Sequence, residues 1–175
     1  RLKEPMQMGY SAVGTVIECG RGVTEVSVGD TVAMVGQAYH AEVNRVSKTM
    51  ITKIPDNAED IRQYALCALA GIALQGIHQA QVEPGETVAV IGMGLIGHIT
   101  ARILNAYGCD VIGYDVVDKS LAGTRLKAFI SSNDENAADI TKSLTHGRGV
   151  DKAIISASAN TNAPMDHAAA ILRDR

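Results

Sequence analysis

No stretch of this chain is apolar over anything near the roughly 20 residues that a membrane span requires. The N-terminal RLKEPMQMGY also lacks the apolar core of a secretion signal. Blocks of Lys or Arg are missing too, and with a net charge of −3 the electrostatics point neither to nucleic acid nor to an anionic membrane as partner. Cysteine is scarce. Cys19, Cys67 and Cys109 are odd in number, far apart and unpatterned, which argues against a disulfide framework and for a reducing, cytoplasmic setting. Neither an internal repeat nor a low-complexity tract occurs.

What remains is an ordinary globular composition, 46% hydrophobic and 20% charged over 175 residues, long enough for one domain or two small ones. The chain starts at Arg1 rather than Met and stops at AAILRDR, within what reads as a helix and its exit. It is therefore expected to be a piece of a longer polypeptide.

Residues 1–56 read as β-rich. GTVIECG, DTVAMV, AEVNRVS and MITKIPDN are short runs with branched residues, punctuated by glycine and by turn signals. From Asn57 the pattern changes. AEDIRQYALCALAGIALQGIHQA predicts one long helix, or two broken at Gly71 or Gly76. After it, strands and helices alternate: TVAVIG, then a helix over 95–108, CDVIGYD, a helix over 118–127, AFIS, a helix capped near Asn133 or Asp134, VDKAIISAS, and a last helix over 163–174. Such alternation predicts βαβ units around a parallel sheet.

One stretch carries chemistry, VAVIGMGLIGHITARILNAYGCDVIGYD, residues 88–115. Gly92, Gly94 and Gly97 follow a strand and open a helix, and Asp115 ends the next strand. The segment Gly92, Met93, Gly94, Leu95, Ile96, Gly97 would form the phosphate-binding turn. Gly92 would make the tight turn, Gly94 would let backbone approach a pyrophosphate, and Gly97 would let the helix pack on the strand. The helix N-terminus would supply N–H groups and positive potential. Asp115, with Val116 beside it, would accept hydrogen bonds from the adenosine ribose and repel a 2′-phosphate. NAD is therefore the expected cofactor, with Lys119 softening the preference.

GYSAVGTVIECGRGVTEVSVGDTV, AEVNRVSKTMITKIPD, VEPGETVAVIGMGLIG and THGRGVDKAIISA, in that order, resemble consecutive blocks of the medium-chain dehydrogenase/reductase superfamily, of the alcohol and sorbitol dehydrogenase type. The resemblance implies an α/β fold: part of a GroES-like catalytic domain over 1–56, then a Rossmann-type domain with helices on both faces over 57–175. GIALQGIHQA and NTNAPMDHAAAILRDR are similar to zinc-ligand-poor members, among them bi-domain oxidoreductases linked to sugar metabolism.

Departures from the family pattern bear on mechanism. Zinc-dependent members carry Gly-His-Glu where this chain has Gly9-Tyr10-Ser11, and the four-cysteine structural lobe is missing. Cys67 aligns with a further zinc ligand of the family, but one thiolate does not make a zinc site. No metal is expected, and Cys67 is read as a small buried helix residue. Tyr10 becomes the candidate acid/base or hydrogen-bond donor. His40 is a weaker candidate for the same cleft. His98 is placed near the cofactor turn or solvent, His146 at a helix end, and His78 and His167 on helices, His167 at the surface. By the resemblance, and because ligands sit at the carboxyl ends of parallel strands, Ser156, Ala157 and Ser158 would flank the nicotinamide.

These expectations describe an NAD-dependent oxidoreductase acting on a small alcohol or carbonyl, with a homo-oligomer as its assembly. The rivals are a non-catalytic dinucleotide-binding module and a conventional zinc alcohol dehydrogenase.

Overall fold

The computed structural model describes residues 8–119 and 121–174. It contains two compact units, 1–71 and 72–175. The division falls inside a helix, later than the change of composition at Asn57.

In the first unit, β1 (Ser11–Thr15), β2 (Thr31–Val35) and β3 (Ile51–Lys53) form an antiparallel sheet in that order. Ser11 lies opposite Val35, and Val32 opposite Lys53. Val26, Val32, Ala33, Ala38 and Ile54 are buried. The strand expected from AEVNRVS does not form: residues 41–47 are irregular, and Asn44 both accepts the Tyr39 N–H and donates to the Tyr39 carbonyl, closing a loop on itself. A 3-10 turn over Ile61–Leu66, capped by the Asp60 carboxylate, leads into α1 (Cys67–Gln79). The break in the expected long helix thus comes ahead of Cys67, and α1 runs through Gly71 and Gly76 unbroken.

In the second unit, β4 (Thr87–Ile91), β5 (Asp110–Asp115), β6 (Ala128–Ser131) and β7 (Lys152–Ile155) form a parallel sheet of order β6-β5-β4-β7. α2 (Leu95–Ala106), α3 (Ala137–Leu144) and α4 (Ala163–Ile171) complete it. The period-two alternation of the strands divides the core. On one face Val88, Val90 and Val111 pack with Ile77, Ala101, Leu104 and Met93. On the other, Ala89, Ile91, Ile112 and Tyr114 pack with Ala137, Ala168 and Ile171. Helices therefore cover both faces of this Rossmann-type sheet, as expected.

The chain steps outward from β4 through β5 to β6, then returns to place β7 on the other side of β4. This makes the carboxyl ends of β4 and β7 a topological switch point, where ligands of open α/β sheets bind. Beyond α4, Leu172 makes a parallel bridge with Val150, so the chain turns back alongside the start of β7.

One predicted helix is absent. Residues 118–127 form turns and irregular chain where described: the Lys119 and Ala122 carbonyls and the Thr124 hydroxyl bond side chains of α2, and the Thr124 N–H closes a turn on the Leu121 carbonyl. No helix among the described residues is long and apolar enough to cross a membrane.

Candidate cofactor site

At the end of β4 the chain must reverse into α2 within a few residues, and the glycines allow it. Gly92 has φ +99°, and a Cβ there would run into the Ala157 backbone. A Cβ on Gly97 would land on the Gly92 carbonyl, so α2 sits directly against the turn. Gly94 differs: a Cβ there would meet nothing within 4 Å. It is also the N-cap of α2 and gives no side-chain cap. The helix start is thus open, and no capping side chain among the described residues takes up its first N–H groups, which is the arrangement an anion needs. The residues present fit the pyrophosphate of a dinucleotide.

The turn is braced on both sides. From β7, the Ser156 hydroxyl donates to the Gly92 carbonyl at 2.7 Å, and the Ser156 and Ala157 N–H groups both reach the Ile91 carbonyl. From β5, the Asp115 carboxylate accepts the Met93 N–H at 2.8 Å. Met93 itself is buried, its sulfur packed beside Gly113, so its contribution is to anchor the turn. Leu95 and Val116 are exposed, Ile96 is half-buried, and Ser158 is exposed.

Asp115 is only 8% exposed. Burial alone would raise its pKa. Hydrogen bonds from Lys119 and from the N–H groups of Val117 and Met93 outweigh that and hold the carboxyl below its ordinary value. The ion pair with Lys119 spans 3.0 Å. At the carboxyl end of β5, then, stands an ionised acid already countered by one ammonium.

The other predicted residues divide between the units. Tyr10, just before β1, is 52% exposed, and its carbonyl accepts the Gly36 N–H. Ser11, which sequence reasoning treated only as a lost acid, donates to the Ala65 carbonyl at 2.6 Å and accepts the Ala68 N–H, tying β1 to the start of α1. Cys67 is half-buried at that helix start. His40 is exposed, and its ring lies so close to Gly9 that a Cβ there would come within 2.7 Å of it. His78 is exposed on α1, and His146 is exposed just past α3.

Of the two places expected for His98, the structure gives the first: it is buried beside the glycine turn, with both ring nitrogens bonded to the chain that follows β5. His167, expected at the surface, turns its ring edge-to-face onto Tyr114 at 4.9 Å, because its side of α4 covers the sheet. Among the described residues, no three His, Cys, Asp or Glu side chains converge on a point that would hold a metal ion. A cavity of about 1130 Å³ belongs to the first unit, and none of the predicted site residues lines it.

Known proteins resemble this chain in both of its parts. Residues 1–80 match the model of the alcohol dehydrogenase GroES-like domain. Residues 73–139 match that of the D-isomer specific 2-hydroxyacid dehydrogenase NAD binding domain, which takes in the glycine turn and Asp115. D-guloside 3-dehydrogenase of Escherichia coli is 34% identical over 114 residues, covering 63% of this chain and 32% of that protein. D-xylulose reductase of Morganella morganii is 30% identical over 185 residues, covering 85% of this chain and 54% of the enzyme. The apo structure of zinc-dependent alcohol dehydrogenase 2 from Streptococcus pneumonia superposes with a TM-score of 0.75 at 26% identity, over 95% of this chain and 57% of that one. The chain spans no more than about half the length of these relatives.

Proposed function

Because this chain belongs to the medium-chain dehydrogenase/reductase superfamily, we propose that it carries the cofactor site of an NAD(H)-dependent oxidoreductase acting between an alcohol and its carbonyl. The observation that carries the reading is the uncapped, sterically open start of α2 at Gly94, one residue past an amide anchored by Asp115.

Bound there, the dinucleotide supplies the hydride acceptor or donor. This chain's residues bind and orient it. The N–H groups at the start of α2 and the helix dipole receive the pyrophosphate. The Asp115 carboxylate receives the ribose hydroxyls, and its charge disfavours a 2′-phosphate, so NAD(H) is preferred to NADP(H). Lys119 limits that preference. Ser156 and Ala157, at the end of β7, border the nicotinamide end. Tyr10 is the proposed hydrogen-bond donor to the substrate oxygen, in the position where zinc-dependent relatives carry a ligand, and the reaction uses no catalytic zinc. Relatives named for a guloside and a pentulose support sugar-derived alcohols and carbonyls as the substrate class.

A panel of polyols, sugars and simple alcohols, assayed for reduction of NAD, tests the proposal. Turnover that falls about a hundredfold in Tyr10→Phe, with folding intact, is the expected result. Tight NADH binding without turnover on any member would instead mark a non-catalytic binding module.

A further inference from the structure

We propose that His98 is a positioning residue for the adenosine end of this site: it fixes the chain after β5 so that the Lys119 ammonium stays on Asp115. The inference rests on the dinucleotide reading above and assigns a residue that the reading leaves without a role.

His98 is only 4% exposed and directly follows Gly97 in the first turn of α2. Its Nε2 lies 2.8 Å from the Lys119 carbonyl, and its Nδ1 lies 3.2 Å from the Thr124 hydroxyl. A carbonyl can only accept, so the ring proton sits on Nε2. The Thr124 oxygen accepts the Nε–H of Arg102 at 3.2 Å, which leaves its own proton for His98 Nδ1. Arg102 also donates to the Ala122 carbonyl at 2.6 Å, and its guanidinium lies so close to Gly123 that a Cβ there would come within 3.0 Å of it.

Two residues one turn apart on α2 therefore hold residues 119, 122 and 124. That segment has neither helix nor strand of its own where described; apart from the turn that the Thr124 N–H closes on the Leu121 carbonyl and the bond from the Lys127 N–H to the Val111 carbonyl, it is these side chains that bind it to α2. The ring holds the backbone of Lys119, and the Lys119 Nζ lies 3.0 and 3.1 Å from the two Asp115 oxygens. The consequence is electrostatic. With Lys119 held in place, the acid that meets the ribose is partly neutralised and a 2′-phosphate is tolerated. With the clamp gone, the ammonium of this half-exposed side chain leaves, and the bare carboxylate rejects NADPH more strongly.

The test is a fluorescence titration with NADH and with NADPH of the protein and of His98→Ala, His98→Gln, Thr124→Val, Lys119→Ala and the double variant His98→Ala/Lys119→Ala. The ratio of the NADPH Kd to the NADH Kd should rise about fivefold in His98→Ala and in Lys119→Ala, the size of one partly exposed charge pair. It should rise no further in the double variant. His98→Gln, whose amide N–H reaches the Lys119 carbonyl, should return toward the original ratio. Should His98→Ala not fold, Thr124→Val, which removes one side of the clamp, should still raise the ratio. An unchanged ratio in folded variants, or full additivity in the double variant, overturns the role of His98 alone. Failure of the unmodified protein to bind either dinucleotide overturns the cofactor reading with it.

Discussion

The Met93 amide and the Asp115 carboxylate meet at 2.8 Å, joining the turn that leaves β4 to the end of β5. One acid thus closes the glycine turn and is also the one proposed to select the ribose. Structure and recognition cannot be separated at this residue without care in choosing the substitution.

Asp115→Ala should lower stability by about 1–3 kcal/mol, because it leaves the buried Met93 N–H without an acceptor. Asp115→Asn, whose amide oxygen still accepts that N–H, should cost less. The carboxyl's pKa is depressed below 3.8 by Lys119 and two backbone N–H groups acting against burial. Its contribution is therefore present above the ordinary Asp range and is lost as pH falls through the lower folded-state value. Urea unfolding of both variants between neutral and acid pH checks this.

The three glycines should separate under substitution by alanine. Gly92→Ala and Gly97→Ala place a Cβ on backbone atoms and should each destabilise the fold by about 2 kcal/mol or more. Gly94→Ala meets open space and should melt close to the parent, while its NADH Kd rises because the methyl faces the approaching pyrophosphate. Thermal melts read beside cofactor titrations distinguish the two behaviours.

Tyr114 is fully buried, and its hydroxyl lies 2.6 Å from Thr141. Thr141 donates to the Ala137 carbonyl, so the phenol is the donor in this pair. Burial pushes the phenol up to about 12. Thr141→Val should cost about 1–3 kcal/mol by stranding that donor, and adding Tyr114→Phe should recover part of the loss. A double-mutant cycle by urea unfolding measures the coupling.

His167 has a buried Nε2 with no hydrogen-bond partner among the described residues, and burial lowers its pKa below 6.5. A base with a depressed folded-state pKa binds fewer protons folded than unfolded. Stability should therefore fall as pH drops through 6.5 toward the folded-state value. His167→Phe keeps the ring contact with Tyr114 and should flatten that dependence. Unfolding curves of both proteins from pH 7.5 to pH 5 decide it.

The unit from Thr87 to Asp115 is legible in the sequence because each level agrees there: a branched apolar run, three glycines at fixed spacing, a 3.6-period helix and a closing acid. Residues 118–127 misled for the opposite reason. Their composition suits a helix, but α2 takes up Lys119, Ala122 and Thr124 through His98 and Arg102, and such long-range bonds leave no periodic signal. The same holds for Ser11, whose bonds to the start of α1 come from residues more than fifty positions away. His167 was misread because a lone histidine on an alanine-rich helix does not announce which face the sheet will cover.

The measurement that bears most directly on the account is a fluorescence titration with NADH and NADPH of the unmodified protein and of Asp115→Asn. The account predicts binding of both with NADH tighter, and a smaller difference once the carboxylate becomes an amide. Binding of neither dinucleotide by a folded protein, or a preference that Asp115→Asn leaves untouched, would contradict it.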